Sequence, residues 1–232
     1  MKIYKKSKLS IICFLVGMTL FLGIVFSSCA STSTVFDIEN LYSDTIKETV
    51  EIRCYDTEDN NIGYATGCVI SKDGQILTNK HVIMSNDNIF QHIEVRFYDN
   101  NNFMPASILK VSETEDLALI KIEQGTKDVF TIGQSIKGGE RVFTIGNPNG
   151  FGLSFAEGTV SSPLRYVRYN GKEIKTTQTS IIINEGNSGG PLFNADGELI
   201  GLITFRLRNG SGEIIQGVSF ALHYSVLKDF LE

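Results

Sequence analysis

From about residue 50 to residue 223 the chain is a succession of short apolar runs separated by turn dipeptides. The runs are rich in Val, Ile, Phe and Thr, which favour β-strands over helices. Asp-Gly and Asn-Gly pairs suit the positive φ angles of tight hairpins. They occur between the runs at 73–74, 149–150, 170–171, 196–197 and 209–210. Many short strands at this spacing predict an all-β domain built as a barrel or a sandwich.

Two segments depart from the β pattern. Residues 37–49 place apolar side chains such as Leu41 and Ile46 on one side of a short helix, and residues 224–231 predict a second helix at the end of the chain. Nowhere between them is there a linker long enough to separate independent modules. We therefore predict one domain over residues 37–232.

The first 28 residues have the composition of an export signal. Four lysines lie among the first eight residues, an uncharged apolar run extends from Leu9 to Phe26, and small residues follow. Cys29 ends the sequence FSSC, which resembles the cleavage box of bacterial lipoproteins, where the cysteine becomes the lipidated first residue. We predict a lipoprotein signal over 1–28 and a tether over 29–36, with a retained membrane anchor or plain secretion as alternatives. The protein would then be lipid-anchored in the cell envelope, facing the periplasm or the exterior.

Charge and cysteine content exclude several classes of partner. The net charge is −5, and the predicted signal holds four of the lysines, so no basic stripe for nucleic acid remains. Cys54 and Cys68 are nearly equidistant from a predicted hairpin turn at 59–61, and outside the cytoplasm they could pair across two strands. Two buried free thiols are the favoured alternative, because adjacent-strand geometry strains a disulfide. The histidines do not cluster with these cysteines, so we expect no metal site and no cofactor.

The segment 184–192, NEGNSGGPL, carries the first indication of chemistry. A serine hydroxyl is a weak nucleophile unless a base and backbone N–H donors for an oxyanion stand beside it. Glycines around Ser188 permit the tight turn that aims such donors at one point. A Gly-rich surface turn uses the same residue types. The choice between the two depends on whether the chain also supplies a base and a carboxylate.

Both groups occur at the ends of apolar runs. His81 lies in ILTNKHVI at 76–83, and Asp116 begins DLALIKI at 116–122. Taken singly, a histidine or an aspartate at a strand end is more often incidental than catalytic. Taken together, the order His81, Asp116, Ser188 is that of chymotrypsin-like triads.

These segments resemble the trypsin-like serine proteases, and within them the HtrA/Do-like family of bacterial proteases. The resemblance covers about residues 63–222. It rests on ATGCVIS at 65–71, LTNKHV at 77–82, DLALIKI at 116–122, GNPNG at 146–150, GNSGGPL at 186–192 and GVSFAL at 217–222. It implies an all-β protease domain over 37–232, made of two packed six-stranded antiparallel β-barrels with a short C-terminal helix. The first barrel would span about 50–130 and the second about 131–223, with the active site between them.

The resemblance also implies a role for each residue. His81 would accept the proton of Ser188 as the hydroxyl attacks a peptide carbonyl, and Asp116 would orient the imidazole. The backbone N–H groups of Gly186 and Ser188 would form the oxyanion hole. The implied activity is that of a serine endopeptidase acting on exported or misfolded proteins. Its partners would be protein or peptide substrates, and the trimers common in the family cannot be inferred from this sequence.

Departures from the family pattern set further expectations. Asn187 replaces the aspartate with which digestive relatives pair a new N-terminus, so we expect no zymogen switch. Ser180 replaces a common aspartate, which leaves open the alternative of a catalytically silent binding or scaffold protein. His223 replaces a frequent proline, and we expect a surface or capping residue. Because the chain ends about ten residues after the last predicted strand, we also expect no PDZ domain in cis.

Two further interpretations concern the same serine. The sequence GNSGG also fits the nucleophile elbow of α/β-hydrolases, with Asp196 and His223 completing a triad around Ser188. We disfavour it because residues 194–197 break the helix that must follow the elbow. Within the protease interpretation, residues 201–206 should line the pocket for the side chain before the cut, and we expect a small or medium apolar residue there.

Overall fold

The computed structural model describes residues 37–56, 63–85, 88–126, 129–169 and 171–232. The predicted signal, the lipidation site Cys29 and the tether lie outside the described residues, as does the turn of the first predicted hairpin. Within the described residues, no helix has the length and apolar character needed to cross a membrane.

The helices in the described part of the chain are short. Two of them lie at the ends of the domain, where the sequence predicts helices. Helix α1 begins after Asp37, whose carboxylate accepts a hydrogen bond from the N–H of Asn40 at 3.2 Å and so caps the helix. The helices are α1 Ile38–Thr45, α2 Lys80–Ile83 and α3 Tyr224–Leu231, and the 3₁₀ turns are Ile46–Glu48 and Pro148–Gly150.

His223 caps α3. Its Nδ1 accepts a hydrogen bond from the N–H of Ser225 at 3.2 Å, and α3 begins at the next residue. The expectation of a capping residue is confirmed, but the expectation of a surface position is wrong, because His223 is only 8% exposed. Burial, with a smaller effect of the charge of Lys175, lowers the pKa of this imidazole to about 4.

The first sheet is antiparallel and has the strand order β7-β6-β1-β2-β3-β9-β8. A separate two-stranded hairpin, β4–β5, follows α2. The strands are β1 Thr49–Tyr55, β2 Gly63–Val69, β3 Gln75–Thr78, β4 Met84–Ser85, β5 Asn88–Ile89, β6 His92–Phe97, β7 Met104–Pro105, β8 Ser107–Val111 and β9 Ala118–Lys121.

One stretch of chain, residues 104–111, supplies the strands at both edges of the first sheet. Strand β7 pairs with β6, and β8 pairs with β9, yet only Ala106 separates β7 from β8. Pro105 has no N–H to continue a ladder, while the N–H of Ala106 donates to the carbonyl of Ile93 at 2.8 Å. The first sheet therefore has seven strands where the sequence predicts six, because the strand that joins its two edges is broken at Ala106.

The second sheet is a closed barrel of six antiparallel strands in the order β10-β11-β12-β15-β14-β13, as predicted. Its longest strand is β11, which forms a hairpin with β12. The strands are β10 Arg141–Gly146, β11 Ser154–Tyr169, β12 Lys172–Thr179, β13 Pro191–Phe193, β14 Leu199–Arg208 and β15 Ile214–His223.

A column of aromatic rings attaches α1 to the second barrel. Phe130 packs on Phe193 with ring centroids 4.7 Å apart, Phe193 on Phe143 at 5.0 Å, and Phe143 on Phe155 at 5.4 Å. Tyr42 of α1 meets Phe155 edge-on at 6.2 Å. Because aromatic rings bury large apolar areas, this aromatic column fixes the first helix of the described domain against the second barrel.

Cys54 and Cys68 are both buried and free, as the sequence favours. They lie on the paired strands β1 and β2, but Cys54 is opposite Gly63 and Cys68 is opposite Thr49. This offset along the ladder separates the two sulfur atoms, so no cross-strand bridge is possible without a change of register. Burial raises the pKa of the Cys54 thiol to about 12 and that of Cys68 still further.

Candidate active site

A cleft of about 710 Å³ lies between the two sheets and is lined by residues of both. His81 and Asp116 enter it from the first sheet. Ser188, Thr204 and Phe205 enter it from the second. The three residues that the sequence predicts as a triad therefore share one concave surface.

Asp116 contacts His81 through both of its carboxylate oxygens. Oδ2 lies 2.6 Å from Nδ1 of the imidazole, and Oδ1 accepts a hydrogen bond from the backbone N–H of His81 at 2.9 Å. Helix α2 places the histidine directly after β3, and Asp116 comes shortly before β9, the neighbour of β3. A carboxylate at Nδ1 requires the proton on that nitrogen, which leaves Nε2 free to accept one.

The ionisation of Asp116 suits this contact. Burial raises the pKa of the carboxyl group, but hydrogen bonds and the charge of His81, with the backbone N–H of Lys80, outweigh it. The net result is a pKa below the usual range of aspartate. Asp116 is therefore a carboxylate at neutral pH.

Asn79 holds the backbone next to Asp116, and the sequence did not predict this role. Its side-chain amide donates to the backbone carbonyl of Asp116 at 2.9 Å and to the hydroxyl of Thr204 at 3.1 Å. The side chain is fully buried, and it connects the loop before β9 to strand β14 of the second sheet. Its only signal in the sequence is its place two residues before His81.

Ser188 lies in a turn that requires glycine at two of its positions, 186 and 189. We call residues 185–190 the oxyanion loop. Gly189 has φ +80°, and a Cβ on it would stand 2.1 Å from the hydroxyl oxygen of Thr78 and 2.2 Å from the carbonyl oxygen of Thr66. Gly186 has φ +93°, and a Cβ there would meet the carbonyl oxygen of Asn147 at 2.0 Å. These close approaches explain the glycines on both sides of the serine.

The hydroxyl of Ser188 faces Thr204 in this structure. It donates to the backbone carbonyl of Thr204 at 3.4 Å, which is at the long end for a hydrogen bond. Among the described residues, no hydrogen bond joins this hydroxyl to the ring of His81. Catalytic hydrogen bonds are often long or absent in unliganded sites and form only when substrate is present.

The backbone of the oxyanion loop leaves two N–H groups available. Within the described chain, neither the N–H of Gly186 nor that of Ser188 donates to a protein acceptor. The carbonyl of Glu185 accepts from the N–H of Asn149 at 2.7 Å. Because the C=O and N–H of a trans peptide point in opposite directions, the N–H of Gly186 points away from Asn149.

Four other residues that the sequence analysis discussed lie outside the cleft: Ser180, Asn187, Asp196 and His223. Ser180 accepts a hydrogen bond from the N–H of Thr159 at 2.9 Å, between β11 and β12. Asn187 is buried, and its Oδ1 has no partner among the described residues. Asp196 lies in a turn after β13, and His223 caps α3, so the alternative triad of an α/β-hydrolase is not brought together.

Arg206 lies in the segment 201–206 that the sequence assigns to the pocket, but its own contacts were not predicted. It follows Thr204 and Phe205 on β14, the strand expected to line the pocket. Its Nη1 donates to the carbonyl of Ile183 at 2.9 Å and to Oδ1 of Asn184 at 3.2 Å. The guanidinium therefore connects β14 to the residues just before the oxyanion loop.

Comparison with known proteins agrees with this geometry. Residues 65–202, more than half of the chain, match the model of the trypsin-like peptidase domain. The chain belongs to the trypsin-like peptidase family. It is 40% identical over 168 residues to a probable periplasmic serine endoprotease, DegP-like, of Hahella chejuensis, which covers 72% of this chain and 34% of the relative. It is 36% identical over 178 residues to the serine endoprotease DegS of Haemophilus influenzae, covering 74% and 49%.

Solved structures place this trypsin-like peptidase among the HtrA-type folds. The HtrA-type protease AlgW with a tripeptide superposes with a TM-score of 0.73 at 27% identity, covering 83% of this chain and 62% of that one. The chain spans about a third to a half of the length of the curated relatives named above. Family and fold are thus established over the described domain.

Proposed function

We propose that this chain is a serine endopeptidase in which Ser188 is the nucleophile, His81 the general base and Asp116 the residue that orients it. The observation that carries the proposal is the double contact of Asp116 with His81, at 2.6 and 2.9 Å, in the cleft that also holds Ser188. The ionised carboxylate fixes the imidazole with Nε2 free and stabilises the imidazolium once it forms.

Catalysis would begin with a rotation of the Ser188 side chain from the Thr204 carbonyl toward His81. The Oγ–carbon bond forms as the hydroxyl proton passes to Nε2. The C–N bond of the substrate then breaks as the same proton passes to the leaving amine. Water repeats the two steps on the acyl-enzyme, which releases the new carboxyl group and restores the serine.

The oxyanion of the tetrahedral intermediate would be bound by the N–H groups of Gly186 and Ser188. The freedom of both groups from protein acceptors supports this assignment. One such donor contributes about 3 kcal/mol of transition-state stabilisation. Preorganised donors of this kind require the loop to be rigid before substrate arrives.

The setting of the enzyme is also part of the proposal. A periplasmic relative supports an exported protein of the cell envelope that cleaves exported or misfolded proteins. Lipidation at Cys29 would anchor it to the membrane, and palmitate labelling that persists in Cys29→Ala would contradict this. A homo-oligomer, such as the trimers of the family, can be measured by light scattering of the detergent-solubilised protein.

One experiment tests the catalytic assignment. The purified protein, its Ser188→Ala variant and a Ser180→Ala control are compared for casein hydrolysis and for labelling by a fluorophosphonate. We expect labelling and hydrolysis in the wild type and the control and neither in Ser188→Ala, because of these two serines Ser188 lies in the cleft and Ser180 does not. An unlabelled, inactive but folded wild type would contradict the proposal and favour the silent scaffold. Activity retained in Ser188→Ala would assign the nucleophile elsewhere.

A further inference from the structure

Thr66 is a buried residue of β2, in the first sheet, whose hydroxyl and N–H both contact the region around the oxyanion loop of the second barrel. Its carbonyl accepts a hydrogen bond from the hydroxyl of Thr78 at 2.8 Å. Its hydroxyl donates to the carbonyl of Gly186 at 2.7 Å and accepts from the N–H of Asn147 at 2.9 Å. Its own N–H donates to the carbonyl of Ser188 at 3.0 Å. The side chain is 0% exposed. One residue thus contacts both carbonyls that flank Asn187.

The hydroxyl of Thr66 also connects the two segments that hold the Glu185–Gly186 peptide. One segment is the oxyanion loop, through the carbonyl of Gly186. The other begins at Asn147 and presents the N–H of Asn149 to the carbonyl of Glu185 at 2.7 Å. With that carbonyl held, the N–H of Gly186 points away from Asn149.

A hydroxyl is the only common side-chain group of this size that donates one hydrogen bond and accepts another. Threonine adds a branched β-carbon, which restricts χ1 and so limits the hydroxyl to few directions. A valine would fill the same space but leave the N–H of Asn147 and the carbonyl of Gly186 without partners in a buried place. Unpaired buried groups are costly, so the loop would rearrange to satisfy them.

We propose that Thr66 is a positioning residue that holds the oxyanion loop with the N–H of Gly186 directed into the cleft. The inference rests on the proposed function, because it acts through the two oxyanion donors. It assigns to the first sheet a part in shaping the oxyanion hole, besides supplying His81 and Asp116. The preorganisation of the hole then depends on a contact between residues 120 positions apart in the chain.

The test compares Thr66→Val with Thr66→Ser by steady-state kinetics on a peptide substrate. We expect kcat to fall about 10- to 100-fold in Thr66→Val. Such a loss is no larger than the loss caused by removing one oxyanion donor. KM should stay within about threefold, because the loss falls on the transition state rather than on substrate binding. Thr66→Ser keeps the hydroxyl and should retain kcat within about threefold.

Thr49→Val is the matched control for the loss of a buried hydroxyl. Thr49 is also 0% exposed and donates one hydrogen bond, to the carbonyl of Thr45 at 3.0 Å, away from the cleft. We expect this variant to lose thermal stability without a change in kcat. A Thr66→Val protein that is folded and has the kcat of the wild type would overturn the inference.

A structural measurement separates this inference from the proposed function. If the wild type is inactive, the proposed function fails, and crystal structures of wild type and Thr66→Val still decide the positioning role. A rotated Glu185–Gly186 peptide in the valine variant supports it, and an unchanged peptide refutes it. If Thr66→Val does not fold, Thr66→Cys replaces it. The thiol of Thr66→Cys is a weak hydrogen-bond donor, so we expect its kcat to lie below that of Thr66→Ser. A kcat equal to that of Thr66→Ser would overturn the inference.

Discussion

His223 makes the stability of this domain depend on pH in a narrow window. The folded protein holds this imidazole neutral down to a pKa of about 4, because the ring is buried and because the nearby charge of Lys175 disfavours the imidazolium. An unfolded chain binds the proton at a pKa of about 6.5. Between these values the unfolded state carries one more proton than the folded state. The free energy of unfolding therefore falls as the pH falls from about 6.5 to about 4.

The size of this effect follows from the two pKa values. A difference of about 2.5 units corresponds to about 3 kcal/mol, spread over the window at about 1.4 kcal/mol per pH unit. Below about pH 4 His223 contributes no further slope. Asp116, whose pKa is lowered in the folded state, loses its own stabilising contribution only as the pH falls below the unfolded value of about 4. The two contributions are thus separated along the pH axis.

The assay is urea unfolding followed by far-ultraviolet circular dichroism at about pH 7, 6, 5 and 4.5. His223→Asn is the matched variant, because an asparagine keeps an N-cap acceptor for α3 but does not titrate. All other ionisable residues are the same in both proteins, so the difference between the two unfolding free energies isolates His223. We expect the free energy of unfolding of the variant to rise relative to that of the wild type by about 2.5 kcal/mol between pH 7 and pH 4.5. A difference that stays constant from pH 7 to 4.5 would refute the reasoning.

Three other predictions follow from the geometry. Asp116→Asn should lower kcat about 10⁴-fold at neutral pH, because an amide facing the imidazole favours the wrong tautomer; peptide hydrolysis measures it, and a loss under tenfold contradicts the assignment. Cys54 and Cys68 should resist alkylation in the native protein and react on unfolding, because burial raises both thiol pKa values; mass spectrometry measures this, and fast native labelling contradicts it. Gly189→Ala should destabilise the fold by more than about 2 kcal/mol, because its φ is +80° and a Cβ would overlap first-barrel atoms. Gly210→Ala, where a Cβ meets nothing within 4 Å, should leave the melting temperature unchanged, and equal effects of the two would contradict this explanation.

The elements that the sequence predicted best are those set by local patterning. The C-terminal helix has its predicted bounds, Tyr224–Leu231, because the apolar spacing and the capping residue before it are both local. The β-strands of the second barrel also follow from short apolar runs between turn dipeptides, whereas their closure into a six-stranded barrel was implied by the resemblance to trypsin-like proteases. The break of the first sheet at Ala106 was missed, because it arises from pairing with β6 on one side and β9 on the other. No short window of sequence contains that information.

The candidate active site also contains some residues that the sequence predicted and others that it did not. His81, Asp116 and Ser188 were found through motif order, and they share one cleft. Thr66 and Asn79 were not identified, because their importance lies in contacts with residues more than 100 positions away. A buried threonine within a strand is indistinguishable in sequence from any other residue of a half-apolar run. Only the folded chain shows which carbonyl its hydroxyl reaches.

The aromatic column that attaches α1 to the second barrel has an optical consequence. The chain contains no tryptophan, with 8 tyrosines and 15 phenylalanines, so the native protein has no indole emission. A single tryptophan in place of Phe155, between Phe143 and Tyr42, would be the only indole in the molecule. Its emission would shift to longer wavelength when α1 leaves the barrel, while the far-ultraviolet dichroism of the strands stayed constant. Undocking of the first helix would then be visible by fluorescence separately from unfolding of the barrels.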